Sequence, residues 1–328
     1  MFFSAKIKWG IDLSSYLVTG GCGFIGSHLV EKLNHLGHRV IVIDDLSTGS
    51  LSNVSEAVPV FVGSVTDSIL VSQVIENVDG CFHLAAIASV EYSNNNWLGS
   101  NNINLGGTLT ILDAARRSNL PPIPIVYASS AAVYGDNPSI PLTEDDLKSP
   151  LTAYGADKLS CELQAKVAGL IHKIPTIGFR FFNVYGSRQQ SSSPYSGVIS
   201  IFTERIYHGK PITIYGDGNQ VRDFVFVEDV VDCLIASIEH ASISAPVYNI
   251  CTGRGTSIYD LAHTIGKLLD VVPIINHSQS KAGDIRASIG NPEKLFNELG
   301  LRCKTSLENG LALTIKWLSE TDSNNEKQ

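Results

Sequence analysis

Tyr154 and Lys158 lie four residues apart in Thr152–Ile171, a stretch whose apolar spacing predicts a helix, so their side chains share one face. A free phenol titrates near 10 and is a poor base at neutral pH. Three units of depression amount to roughly 4 kcal/mol, at about 1.36 per unit. A neighbouring ammonium favours the phenolate and supplies part of that; a second positive charge supplies the rest. The chemistry open to such a pair is proton removal from a hydroxyl. Upstream stands Tyr127-Ala128-Ser129-Ser130-Ala131-Ala132-Val133-Tyr134-Gly135, and before that a glycine-rich turn.

These residues need elements to place them. The apolar run Ser15–Thr19 leads into Gly20, Gly23 and Gly26, then into a helical pattern over Ser27–Leu36. Strand, glycine turn and helix in that order form a dinucleotide cradle: the first glycine permits the turn, the second admits a pyrophosphate to the backbone, the third lets helix and strand pack. The helix N-terminus favours the anion. Arg39–Ile43 predicts a second strand ending in Asp44-Asp45. An acid about 20 positions past the glycines accepts a ribose 2′-hydroxyl and repels a 2′-phosphate, so Asp44 favours NAD over NADP. Oxidised nicotinamide is then the second positive charge. Val58–Val62, Gly80–Leu84, Ile123–Ala128 and Thr176–Phe181 predict further buried strands, with helices over Ser68–Ile75 and Asn104–Ser118. This alternation predicts an α/β fold, a Rossmann-type doubly wound parallel sheet with Ser129-Ser130 at the ligand-binding edge.

Past residue 183 the texture changes: a polar, turn-rich Ser187–Gly197, helices over Val198–His208, Val227–Glu239 and Ser257–Leu269, and short strands at Ile212–Tyr215 and Pro246–Ile250. The expected division is an N-terminal extension over 1–14, a dinucleotide-binding domain over 15–183, and a smaller substrate lobe over 184–320. Segments of that lobe return to the first domain, and a disordered polar tail fills 321–328.

The 328 residues carry a net charge of −8, which argues against nucleic acid as a partner. Six scattered cysteines read as reduced thiols of a cytoplasmic protein. No apolar run has the length of a membrane span, about 18 residues or more, and the start has no secretory-signal pattern. The nine histidines have neither zinc nor haem spacing, and His83 reads as a packed histidine. Phe179, Phe181, Phe182, Phe224 and Phe226 read as core. Glu144-Asp145-Asp146 reads as a solvated acidic turn.

Together TGGCGFIGSHL (19–29), DDLSTG (44–49), HLAA (83–86), YASSAAVYGD (127–136), YGADK (154–158), FRFFNVYG (179–186) and GDGNQVRDFVFVEDVV (216–231) resemble the extended short-chain dehydrogenase/reductase family. Within it the resemblance is to the nucleotide-sugar epimerases and dehydratases. It implies that Tyr154 is the acid/base, that Lys158 holds the nicotinamide ribose, and that Ser130 hydrogen-bonds the reacting sugar hydroxyl. It places Gly20, Gly23, Phe24, Ile25 and Gly26 along the pyrophosphate, Asp44 on the adenosine ribose, and Asp45, Ser47, Thr48 and Gly49 over that end of NAD. Ala85, Ala86 and Asn104 flank the cofactor path. Where the family commonly has Gly-Asp against the adenine amine, this chain has Gly63-Ser64, a weaker contact through a hydroxyl. Asn183 resembles the residue that binds the nucleotide diphosphate, and the resemblance implies that Val198 helps line the nucleotide pocket, that Tyr215 lies near the base, and that Arg222 and Arg286 clamp the two phosphates in planar forks.

The family's 4,6-dehydratases carry Asp-Glu after the serine; here stand Ala131-Ala132, which move no proton. What remains resembles a UDP-sugar 4-epimerase: oxidation at C4, rotation of the keto sugar, and re-reduction on the other face. Ala88-Ser89 after HLAA, and Ser288 in GDIRAS (283–288), resemble epimerases of N-acetylated or uronic sugars. UDP-GlcNAc/UDP-GalNAc is the expected pair, with UDP-Glc/UDP-Gal beside it. The other readings are a UDP-glucuronate 4-epimerase, another oxidoreductase on this scaffold, or a non-catalytic NAD-binding protein, whose signature would be loss of Tyr154 or Lys158. The resemblance also implies supply of polysaccharide precursors and a homodimer built on Asn104–Ser118 and Thr152–Ile171.

Overall fold

A computed structural model describes residues 13–117, 121–191, 196–280 and 285–325; most of the N-terminal extension, together with Ser118, Gly283, Asp284 and residues 326–328, lies outside them. The first half runs β1 (Ser15–Thr19), α1 (Phe24–His35), β2 (Arg39–Asp44), β3 (Val60–Val62), α2 (Ser68–Ile75), β4 (Gly80–His83), α3 (Val90–Asn95), α4 (Trp97–Asn101), α5 (Gly107–Arg117), β5 (Ile125–Ser130), α6 (Ala153–His172) and β6 (Thr176–Phe181). The second runs β7 (Asn183–Tyr185), α7 (Val198–Tyr207), β8 (Ile212–Tyr215), β9 (Val221–Phe226), α8 (Val227–Ser237), β10 (Val247–Ile250), β11 (Gly255–Ser257), α9 (Ile258–Leu268), β12 (Ile275–Ser278), β13 (Ala287–Ser288), α10 (Glu293–Leu299) and α11 (Leu307–Asn325).

Seven strands form one sheet in the order β3-β2-β1-β4-β5-β6-β10, with every neighbouring pair parallel. Parallel strands are covered on both faces, which is why they read as unbroken apolar runs. The two-residue period then sorts each strand. Val18, Val42, Phe82 and Val126 face a layer that includes Leu29 and Leu33 of α1 and Val230 and Leu234 of α8. Leu17, Ile41, Cys81 and Ile125 face Val71 of α2 and Ile111 of α5. Each such aliphatic side chain contributes about 1.5–3 kcal/mol on burial. A third core joins Phe202 of α7, Ile214, Phe224, Leu261 of α9 and Leu311 of α11 beneath the smaller sheets. Among the described residues no helix is long and apolar enough to cross a membrane.

Several expectations are corrected. The first helix starts at Phe24, not Ser27, so Phe24, Ile25 and Gly26 form its first turn. The strand expected over Val58–Val62 shortens to Val60–Val62 and is an exposed edge; Pro59 has no N–H for a ladder. The helix expected from Asn104 begins in fact near Val90, as α3 and α4, and reaches α5 through a π-helical turn over Asn102–Gly106. The Asn-rich sequence hides it, because asparagine disfavours helix unless tertiary bonds hold its side chain. Glu144 is buried, not solvated: its carboxylate accepts the Asn249 N–H at 2.7 Å. The supposed tail is helical to Asn325, with Thr321 and Ser323 hydroxyls donating to carbonyls one turn back.

Candidate active site

The strand order reverses between β1 and β4, which opens a crevice at the carboxyl ends of these parallel strands. Thr19, Asp44, His83 and Ser130 close their strands at that edge. The glycine turn is as tight as its sequence predicts. Gly20 has φ +70°, and a Cβ on Gly26 would stand 2.0 Å from the Gly20 carbonyl oxygen. Gly23 caps α1 without any side-chain bond, so the first-turn N–H groups of Phe24, Ile25 and Gly26 have no intrahelical or side-chain acceptor. This cradle fits a dinucleotide pyrophosphate. Asp44, buried by β2, accepts from the N–H of Cys22 and of Leu46, both at 2.9 Å, and keeps a free lone pair on each oxygen for a ribose hydroxyl. Burial raises its pKa against those two bonds. Gly49 packs on the same carboxylate. Asp45 binds the N–H and hydroxyl of Ser47, while Thr48 is bound through its carbonyl by Gln190 at 3.0 Å. Ser64 pairs with Thr66 in its own turn.

Helix α6 carries the Tyr/Lys pair. Thr152 caps it by accepting from Gly155 N. A Cβ at Gly155 would stand 2.6 Å from the Ala132 carbonyl oxygen, so the residue beside Tyr154 touches the turn that follows Ser130. Lys158 is only 3% exposed. Its ammonium donates to Ala128 O at 2.9 Å and stands 5.8 Å from the centre of the Tyr154 ring. Ser130 ends β5, and its hydroxyl accepts from Ala132 N at 3.1 Å. The pair and the serine are thus held on adjoining backbone. Asn104, expected along the cofactor path, is a buried stitch: it pairs with both backbone groups of Ile87, just past Ala85 and Ala86, and donates to Asp157. Asp157 also receives Asn101 at 2.6 Å.

Behind this edge His83 is packed as expected, and fully bonded. The Thr108 hydroxyl donates to Asn104 O, so it accepts from Nε2–H of His83; Nδ1 accepts from Thr19 Oγ1. Burial first, then the Lys158 charge, push the imidazole down to about 3. The unfolded imidazole titrates near 6.5, so the unfolded chain binds one more proton as pH falls from there. Folding stability is full above that value and declines by about 1.4 kcal/mol per unit towards pH 3. Urea unfolding of a His83→Asn variant at several pH values is expected to show a shallower acid limb by close to one proton; an equal slope would mean that His83 is not buried neutral.

The remaining candidates fall into two groups. Ala88 is exposed and Ser89 caps α3, accepting from Tyr92 N at 3.0 Å. Asn183 is exposed on β7, beside β9. Arg222 of β9 and Ser288 of β13 are register partners, and Ser288 is buried. Arg286 precedes β13 and reaches Asp217 at 3.2 Å; bonds from Asn219 and then this arginine hold Asp217 down at about 2. Val198 opens α7, and Tyr215 closes β8 with its ring half exposed. Sequence reasoning missed Asp157, Glu162, Arg180 and Asp223. Their signal was present: an ionisable residue inside an apolar strand or on the inner face of a helix needs partners.

Known proteins are similar to this chain in sequence and fold. The model of the NAD dependent epimerase/dehydratase family matches residues 16–251. The UDP-glucose 4-epimerase of Mycolicibacterium smegmatis is 31% identical, over 92% of this chain and 97% of its own. Among solved structures, the UDP-glucose 4-epimerase of Thermotoga maritima with UDP-glucose has 34% identity and a TM-score of 0.89, covering 94% of this chain and 99% of its own. The UDP-N-acetylglucosamine 4-epimerase of Methanobrevibacter ruminantium in complex with UDP-N-acetylmuramic acid has 33% identity and a TM-score of 0.88, with the same coverage. With the family model matching residues 16–251 and these relatives covered over nearly their whole length, the chain belongs to the NAD-dependent epimerase/dehydratase family.

Proposed function

We propose that this protein is a 4-epimerase of UDP-sugars, acting on UDP-GlcNAc/UDP-GalNAc and on UDP-Glc/UDP-Gal. The observation that carries this reading is the Tyr154–Lys158 pair held against Ala128 and the Ser130 turn, with Ala131-Ala132 where elimination would need acids. The next proton-bearing side chain, Tyr134, is buried against Arg180 and pushed up to about 12 by burial. It offers no acid for loss of water from the sugar.

In this reading Gly20, Gly23, Phe24, Ile25 and Gly26 take the pyrophosphate of NAD and Asp44 its adenosine ribose; bound NAD supplies the hydride acceptor and donor. The Tyr154 oxygen removes the proton from the sugar 4-hydroxyl while Ser130 hydrogen-bonds that oxygen. The Lys158 ammonium stabilises the negative charge that Tyr154 carries before the transfer. Arg222 and Arg286 hold the diphosphate, so that the 4-keto sugar can turn about its link without leaving. Tyr154 then returns the proton at the same oxygen. Ala88, Ser89 and Ser288 are small residues, which supports room for an N-acetyl group.

The test is incubation of purified enzyme with each UDP-sugar and observation of the anomeric signals by NMR. Equilibration of a 4-epimer pair without added NAD supports the reading. Accumulation of a 4-keto product sinks it, and equilibration of UDP-glucuronate alone moves the assignment to the uronic sugar.

A homodimer belongs to the same proposal. Leu163, Val167, Leu170 and Ile171 form an exposed apolar stripe along α6, and Trp97 and Leu98 of α4 and Leu109 of α5 are also exposed. Contiguous apolar surface of this kind marks an interface. The enzyme is expected to sediment at twice the chain mass, and a Val167→Glu/Ile171→Glu variant at the chain mass. Sedimentation of the native enzyme as a monomer overturns this part.

A further inference from the structure

A closed polar network lies behind Ser130, and nothing in the proton transfer uses it. Arg180, in the middle of β6, is 3% exposed. It donates in a two-pronged pair to Glu162, Nε to Oε1 at 2.8 Å and Nη2 to Oε2 at 2.7 Å. Its Nη1 donates to the Tyr134 hydroxyl at 2.8 Å and to Glu144 O at 3.0 Å. Glu162 also accepts from the Ser129 hydroxyl at 2.6 Å, and the Tyr134 hydroxyl donates to Asn249 Oδ1 at 2.7 Å. Every donor and acceptor named here is satisfied within the set, which makes the unit stiff.

Its placement is the informative part. Ser129 immediately precedes Ser130, and Tyr134 follows it by one short turn, so the Arg180–Glu162 pair holds the chain on both sides of the serine, Glu162 at Ser129 and Arg180 at Tyr134. Glu162 stands two turns beyond Tyr154 and one beyond Lys158, on the same face of α6. Lys158 is bonded to Ala128 O and Glu162 to Ser129 Oγ, so consecutive residues of β5 are tied to consecutive turns of α6. We infer that Arg180 is a positioning residue which, through Glu162, Ser129 and Tyr134, sets the separation of Ser130 from Tyr154. A packing role alone needs no such spread: aliphatic residues of equal volume fill buried space without desolvating two charges.

The inference rests on the proposed proton transfer at C4, and the test separates the two. Arg180→Met leaves Glu162 buried and unpaired and can fail to fold, so the decisive variants are milder. Ser129→Ala and Tyr134→Phe each remove one hydroxyl and leave the Arg180–Glu162 pair whole. Steady-state kinetics with the UDP-sugar that the native enzyme turns over are expected to show kcat lowered about tenfold in each, the cost of a small misplacement. KM is expected to change less than about twofold and the NAD content not at all. Ser129→Thr, which restores the hydroxyl, is expected to recover most of the rate. Native kcat in both variants, or a loss confined to KM, overturns the inference. Single-turnover reduction of bound NAD, followed by absorbance, reads the same proton transfer when epimerisation is absent. A native enzyme that reduces its NAD with a UDP-sugar but does not epimerise it sinks the epimerase reading and leaves the variants decisive. One that does neither overturns both.

Discussion

A Tyr154→Phe enzyme is expected to fold, to keep its NAD, and to turn over UDP-sugar about a thousandfold more slowly than the native protein. The substitution removes one oxygen from a partly exposed ring and breaks no hydrogen bond that shapes the helix: Thr152 still caps α6, and Lys158 still reaches Ala128 O. What disappears is the atom that, in the proposed mechanism, exchanges a proton with the sugar. General acid–base groups contribute about 10²–10⁴-fold, and among the described residues the neighbouring polar side chains are otherwise engaged. Ser130 spends an acceptor position on Ala132 N, Lys158 is buried under the ring, and Tyr134 is locked in the Arg180 network. The loss should fall on kcat, because the diphosphate grip and the cradle are untouched. The measurements are initial rates by NMR and NAD released by acid from the purified variant. Activity within tenfold of native would remove Tyr154 from the mechanism; loss of NAD along with activity would show that the ring anchors the cofactor instead.

The second large effect is expected at Gly26, and it acts on binding before chemistry. A methyl group there would lie 2.0 Å from the Gly20 carbonyl oxygen and 2.8 Å from the Gly21 Cα. All are backbone atoms, so no side chain can swing aside. Gly26→Ala must therefore push α1 off the glycine turn and carry the three first-turn N–H groups away from an incoming pyrophosphate. Overpacking of this kind costs about 1–3 kcal/mol in stability, and the displaced helix end is expected to leave the purified protein nearly free of NAD. Gly23→Ala is the comparison for stability, since its Cβ would stand 3.3 Å from the same oxygen and the fold needs only a slight adjustment, although its methyl group would also meet the pyrophosphate. Native NAD content in Gly26→Ala would falsify the cradle.

These two residues also mark where sequence reading is strong. The glycine spacing, the acid that closes β2 and the Tyr/Lys interval are local patterns, and the structure realises them at strand and helix ends, with α1 starting a turn earlier than expected. β6, α2 and β8 even keep their expected limits. Reading weakens where a residue's role depends on a distant partner. Glu144 looked solvated because Arg180 and Asn249, which bury it, lie far along the chain. Asn101 fell outside the expected helix because Asp157, which accepts from its side chain, arrives only with α6. β9 escaped for a related reason. Asp223 interrupts its apolar run, and only the N–H groups of Thr252, Gly253 and Gly290, together with the Thr252 hydroxyl, make a buried carboxylate acceptable there. In each case the local pattern lost to a tertiary hydrogen bond.

The last strand of the large sheet has a consequence for how the chain is made. β10 borders β6, yet it is delivered only after β7, α7, β8, β9 and α8 have been laid down. While the chain emerges from the ribosome, β6 exposes an open row of N–H and C=O groups, with Arg180 beside it and Asn249 not yet supplied. An unpaired, buried-type strand edge is a template for pairing with a second chain, and distant closure of this kind is slow. A fragment cut at residue 183, where the composition changes, would be left with that edge permanently. The unit expected to fold alone therefore extends past Ile250.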